Sequence, residues 1–184
     1  RAQLTVVHNC TSGQCIVQCI GRAATTGAKP AERAAAFNAD PAGYVASASG
    51  ADLAEIGRVL LCAASVDRRQ LGALLGAAAP RAPGGAAGGG RVHDLLDAMF
   101  TELDLGAFAF DEAIRFALSL AVLPTERAPL DTALDALITA LSAAFCAARP
   151  EYFSMVAGAG GAASARVARA LALLMLRRWA PTPA

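Results

Sequence analysis

The chain has 184 residues, enough for one domain or for two small subdomains sharing a core. Its hydrophobic content of 55% is largely alanine and aromatics make up only 5% of the chain, which favours helices packed through small side chains over a β-sandwich. Sixteen basic residues against fifteen acidic ones leave a net charge of +1, so no global field recruits nucleic acid or an acidic membrane, and recognition has to be local.

Residues 1–28 mix Thr, Gly, Gln and Cys without a clear period and read as an irregular extension or first element. Cys10, Cys15 and Cys19 crowd into this segment, while Cys62 and Cys146 lie in helical patterns. Five cysteines in this arrangement do not make a secreted disulfide framework, and ordinary reduced thiols are expected. The set His8, Cys10, Cys15 and Cys19 has no paired C-x-x-C knuckle, so neither a metal nor a cofactor is expected. There is no charged-then-apolar leader, and no uncharged apolar run approaches the roughly 20 residues of a membrane span. A soluble, cytoplasmic chain is expected, as a fragment of something longer.

From residue 29 the signals are helical. Pro30 opens a short helix ending near Phe37, and Asp40-Pro41 supplies an N-cap and a proline at the first position of a second one. Asp52 with Glu55 three residues on suggests a capping box ahead of the stripe Leu53, Ile56 and Leu60. Asp67 caps a helix carrying Leu71, Leu74 and Leu75, with Gly76 expected to end it as a left-handed cap. The segment "AAAPRAPGGAAGGG" has no apolar side chain larger than alanine, so residues 80–90 read as a flexible linker between helical halves at 29–79 and 91–184. Its glycines lack the Gly-Lys-Ser/Thr ending of a phosphate cradle.

Helix resumes with Val92, Leu95, Leu96, Met99 and Phe100. His93 stands beside Asp94 at its start, where an acid simply suits the helix dipole. The next stripe, Phe110, Ala113, Ile114, Ala117, Leu118 and Ala121, is flanked by Phe116, Leu120 and Leu123, and predicts a central, buried helix. In "AVLPTERAPLD" Pro124 stops that helix and Pro129 sits in the first turn of the following one, which leaves Glu126 on the apex of a sharp reversal. Leu130, Leu134, Leu137, Leu141 and Phe145 then form a stripe opposite Asp131, Asp135, Thr139 and Ser142, stopped by Pro150. After "GAGGAAS", Ser164 is the expected N-cap of a last helix through Val167, Leu171 and Leu174 to Arg177. About eight helices and no credible strand make an all-α fold.

The run "FTELDLGAFAFDEAIRFALSLAVLPTERAPLD" resembles the first signature of the Sec-seven domain, the exchange domain acting on Arf GTPases. Ala113-Ile114-Arg115 stands at the family's spacing from Leu123-Pro124-x-Glu126, and Asp131 falls on the aspartate that closes the signature. Weaker likenesses lie in "AAAFNADPAGYV", "DLAEIGRVLL" and "DRRQLGALLG" upstream, and in "ALALLMLRRWAPTP", which resembles the second signature. The likeness covers Pro30 to the end of the chain, without the family's last helices.

The resemblance implies a right-handed stack of helices that stimulates GDP release from an Arf-family GTPase, taken in its GDP-bound or nucleotide-free form. It implies a role in membrane trafficking on Golgi, endosomal or plasma membranes, which the chain would meet only indirectly. Glu126 would be the catalytic acidic finger. Leu123, Thr125, Arg127, Asp131, Val167, Ala170, Leu171, Leu174 and Arg177 would contact the GTPase. The sequence departs from the family at Thr125, where glycine is usual, at Arg127, whose guanidinium is placed to pair with the neighbouring carboxylate, and at Arg177-Arg178-Trp179, where Asn-Thr-Asp is usual. An exchange-dead interaction module on the same scaffold and a generic alanine-rich bundle are the alternatives.

Overall fold

The computed structural model describes residues 5–9, 16–20, 30–78, 90–153 and 161–179, the first two segments by their backbone. Strands β1 (Thr5–Asn9) and β2 (Ile16–Ile20) pair antiparallel, with Thr5 opposite Ile20 and Asn9 opposite Ile16. This corrects the expectation of no strand. Thr-Val-Val and Ile-Val are β-branched clusters, too short to declare a period but suited to a pleated ribbon. From residue 30 onward the described chain is helical, as the composition requires.

Helices α1 (Pro30–Ala39) and α2 (Pro41–Ser47) meet at Asp40, whose carboxylate accepts the Gly43 N–H at 2.9 Å with Pro41 in the first helical position. Asn38 ties α1 to the turn ahead of α4: its amide donates to the Ser65 carbonyl and its oxygen accepts from the Asp67 N–H, both at 2.8 Å. The cap of α3 (Gly50–Cys62) is Ser49 with Asp52, not Asp52 with Glu55. Ser49 precedes the helix and exchanges hydrogen bonds with Asp52, whereas Glu55, already inside, pairs with Arg58 at 3.2 Å; Arg58 also reaches Glu102 at 2.8 Å.

The hydrogen bonds from Ser49 hold the Asp52 carboxyl below its ordinary value of 3.8. A lowered native value stabilises the fold above the ordinary value and loses that effect as pH falls through the native one. Asp52→Ala is therefore expected to lower the melting temperature at pH 7, and the gap to wild type should narrow as the pH falls below the ordinary carboxyl value and through the lowered native one. Thermal unfolding across that pH range checks it.

Asp67 caps α4 (Arg68–Gly76), accepting from the Arg69 N–H at 2.8 Å. Gly76 is not the expected left-handed cap: the chain leaves through Ala77 at φ −92° and ψ −1°, and Gly76 is small for another reason, its closeness to Pro124 and Pro129. Helix α5 (Arg91–Thr101) follows the linker, whose residues 79–89 lie outside the described ones. A 3-10 turn at Leu105–Ala107 leads into α6 (Phe110–Ser119), and then come α7 (Arg127–Ala148) and α8 (Gly161–Trp179).

The centre of the fold is α7, where the stripe analysis favours α6. Helices α4, α5, α6 and α8 and the 3-10 turn all pack on α7. Its buried face runs through Ala133, Ala136, Leu137, Ile138, Ala140, Leu141, Ser142, Phe145 and Cys146, wider than a leucine count reveals because alanines let neighbours approach closely. Ser142, expected on the polar side, is inside, while Leu130 and Leu134 are only half-buried. Ser164 is likewise buried within α8 and does not cap it. By length and composition α7 would cross a membrane, and its place at the hub accounts for that apolar character.

At the far end of α7, Phe145 is fully buried among Phe110 at 5.0 Å, Tyr152 at 5.3 Å and Phe153 at 6.3 Å between ring centres. The chain beyond α7 thus stays on its C-terminal end. Cys146 is free, and burial pushes its thiol up. Cys62 is disulfide-bonded, which corrects the expectation of reduced thiols for that residue. It ends α3, the helix against which β2 lies.

Candidate functional site

The reversal between α6 and α7 turns the chain from core to solvent within a few residues. Leu120 and Ala121 are buried, Leu123 and Pro124 are half-buried, and Val122, Thr125 and Glu126 are exposed. Two hydrogen bonds fasten the entry of the turn to α4. The Val122 N–H donates to the Arg68 carbonyl at 2.9 Å, and the Arg68 guanidinium donates to the Ser119 carbonyl.

Glu126 is the N-cap residue of α7, at φ −71° and ψ 136°, and its carbonyl accepts the first helical bond from Leu130 at 2.9 Å. Its side chain makes no capping bond. Nor does Arg127 pair with it: that guanidinium lies 3.8 Å from Asp131 one turn on, with 95% of the arginine side chain exposed. The expectation that Arg127 engages the neighbouring carboxylate is thereby corrected. At adjacent positions two side chains diverge by about 100°, whereas four apart they share a face. The Glu126 carboxylate has no ion pair or hydrogen bond among the described residues, and its residue stands at the positive end of the α7 dipole.

Helix α8 supplies the second half of the site. Ser164, Ala168 and Ala172 form its buried stripe, while Leu174 is 60% and Leu171 39% exposed, with Ala170 and Arg177 also outside. Val167 is packed against the core, so of the apolar contacts expected on this helix it is the least accessible. The fully buried positions of this helix are small residues, while Val167, Met175 and Leu176 pack part-buried against the core and Leu171 and Leu174 face water. Leu174→Ala is expected to change unfolding free energy by less than about 0.5 kcal/mol. Ala168→Leu should cost ~1–3 kcal/mol by overpacking. Denaturant unfolding of both distinguishes this orientation from an ordinary leucine-in helix.

Asp135 of α7 bonds Arg169 of α8 and sets their register. With Phe153 held against Phe145 at the C-terminal end of α7 and Arg169 beside Asp135, an antiparallel pairing of α8 with α7 follows, as is usual for packed helices close in sequence. Going back along α7 from Asp135 to Glu126 and forward along α8 from Arg169 to Arg178 covers the same ~13 Å. Leu174 and Arg177 therefore stand at the end of the pair that carries Glu126, Arg127 and Asp131. Val167 and Ala170 flank the Asp135–Arg169 pair and so lie farther from Glu126.

Val122 belongs to this surface and was missed, since its exposure of 53% depends on where α6 stops. Arg68 and Gly72 were also missed, although glycines four apart on α4 were a readable sign of close approach. Among the described residues no group of three or more His, Cys, Asp or Glu side chains can hold a metal. The His8, Cys10, Cys15 and Cys19 set lies outside the described side chains.

Fold and site together define a protein, helical in its described residues from 30 onward, that presents on an anchored turn a carboxylate with no partner among the described residues, and on α8 two exposed leucines. No family model, curated protein or solved structure matches the chain.

Proposed function

We propose that the chain is a guanine-nucleotide exchange factor for an Arf-family small GTPase, built as a Sec-seven-like right-handed helical stack with Glu126 as its acidic finger. One observation carries the reading: the carboxylate expected from the L-P-x-E match is exposed and uncommitted, on a turn fastened to the core. Leu123, Val122, Leu171 and Leu174 provide apolar surface for the switch regions of the GTPase, and Thr125, Arg127, Asp131 and Arg177 its polar surroundings.

The chemistry is displacement, with no bond made or broken in the protein. A carboxylate brought to the nucleotide site repels the β-phosphate of GDP, takes the region of its magnesium ion and competes for the phosphate-binding lysine of the GTPase. At 4 Å and an effective dielectric near 20, two unit charges interact by roughly 4 kcal/mol. That equals about three decades in a release rate.

The test is release of labelled GDP from an Arf GTPase with and without the chain, and with its Glu126→Lys variant. Acceleration by wild type alone supports exchange. A second reading, an exchange-dead module on the same scaffold, is favoured by Arg177-Arg178-Trp179 at the second signature, where the polar Asn-Thr-Asp contact is replaced. Arf binding without accelerated release would decide for it, and absence of binding by a folded chain would leave a plain helical bundle. The proposed site of action is the cytoplasmic face of a trafficking membrane. The Cys62 disulfide stands against that placement, because such bonds are rare in the cytosol.

A further inference from the structure

Nothing in the acidic turn itself explains why it holds one shape. It is a stretch between helices, with a proline to limit it and an exposed tip. The explanation lies on α4. A Cβ built on Gly72 would fall inside contact distance of the Val122 carbonyl oxygen and 2.8 Å from its carbon. One turn later, a Cβ on Gly76 would stand 3.0 Å from both Pro124 and Pro129 and 3.2 Å from the Pro129 carbonyl oxygen. Glycines four apart lie on one face of a helix and leave a trough into which a second backbone can settle.

The turn settles there along its length: Val122 on Gly72, Pro124 and Pro129 on Gly76. Arg68, one turn before Gly72, closes the upstream end through its carbonyl to Val122 and its guanidinium to Ser119. The two prolines that bracket Glu126 therefore share one seat, and the carboxylate between them stands on a backbone held at both ends.

We propose that Arg68, Gly72 and Gly76 are the positioning residues of the Glu126 finger, acting through the turn and touching no substrate. This rests on the exchange reading for its functional consequence, but the seat itself is a property of the chain. Catalytic groups displaced by about 1 Å lose on the order of 100-fold in rate, and any side chain at Gly72 forces a shift of that size, because the atom it meets is backbone.

The experiment compares wild type, Gly72→Ala, Gly76→Ala and Gly50→Ala, the last at a helical glycine with nothing within 4 Å of the added atom. Two quantities are read: hydrogen exchange of the amides from 120 to 126, and kcat and KM for GDP release from an Arf GTPase. In Gly72→Ala the Val122 amide is expected to exchange at least ten-fold faster while α5 and α7 keep their protection, and kcat should fall at least ten-fold with KM little changed. Gly76→Ala should show the same changes in smaller measure, and it carries the test if Gly72→Ala does not fold. Gly50→Ala should behave as wild type.

Unchanged protection of Val122 in a folded Gly72→Ala overturns the proposal, as does loss of protection spread evenly over the helices. If wild type fails to accelerate release, the exchange reading falls. The amide protection still decides whether these glycines seat the turn.

Discussion

Glu126→Lys is expected to abolish acceleration of GDP release from an Arf GTPase, a loss of about three decades if the carboxylate acts at contact distance on the phosphate. The direction follows from charge alone: a repulsive contact with phosphate becomes an attractive one, so the variant should retain nucleotide where wild type expels it. Stability should barely move, because the side chain is exposed and contributes no cap to α7. Glu126→Gln, isosteric but neutral, should fall between. Arg127→Ala serves as the internal control. Its guanidinium lies toward Asp131, so removing it should not raise the activity of Glu126, as it would if the two were paired. Stopped-flow release of a fluorescent GDP analogue checks all three, and equal rates for wild type and Glu126→Lys would reject the finger.

Phe145→Ala is expected to have the largest effect on stability, ~3–5 kcal/mol, from lost transfer energy and the cavity left behind. The ring is fully buried and meets Phe110, Tyr152 and Phe153 in edge-on arrangements. Against a typical total of about 5–15 kcal/mol this is a large share. Phe153, packed on Phe145, also ties the chain just past α7, ahead of α8 in sequence, to this cluster. A weaker cluster should therefore loosen α8 and its leucine face before the α4 seat is affected. Guanidinium unfolding gives the size of the loss, and earlier hydrogen exchange in α8 than in α4 checks the order. Concerted loss of protection in both helices would deny the link between the cluster and α8.

Much of the helical plan was legible in the residues. Proline after an aspartate placed α2, Asp67 placed α4, and prolines at 124 and 129 placed the reversal and its exposed acid. These are local effects, in which a missing N–H or a capping oxygen acts within one turn of its own position. At the start of α3 the pattern suggested Asp52 with Glu55, but the residue standing outside the helix is Ser49, and Ser49 with Asp52 makes the box.

What only the tertiary structure decided has a common cause in alanine and glycine. A leucine stripe marks a buried face when small residues are neutral, but in this chain they are the packing surface. Ser164, Ala168 and Ala172 form the buried stripe of α8, which packs on α7, and Leu171 and Leu174 turn outward as a result. Gly72 and Gly76 admit a neighbouring backbone, so a residue that resembles a helix stop is a seat for the acidic turn. The sequence determined that a carboxylate would stand on a turn. Contacts between residues far apart in the chain decided what holds that turn and which side chains surround it, because close approach is a property of two surfaces and only one of them is written locally.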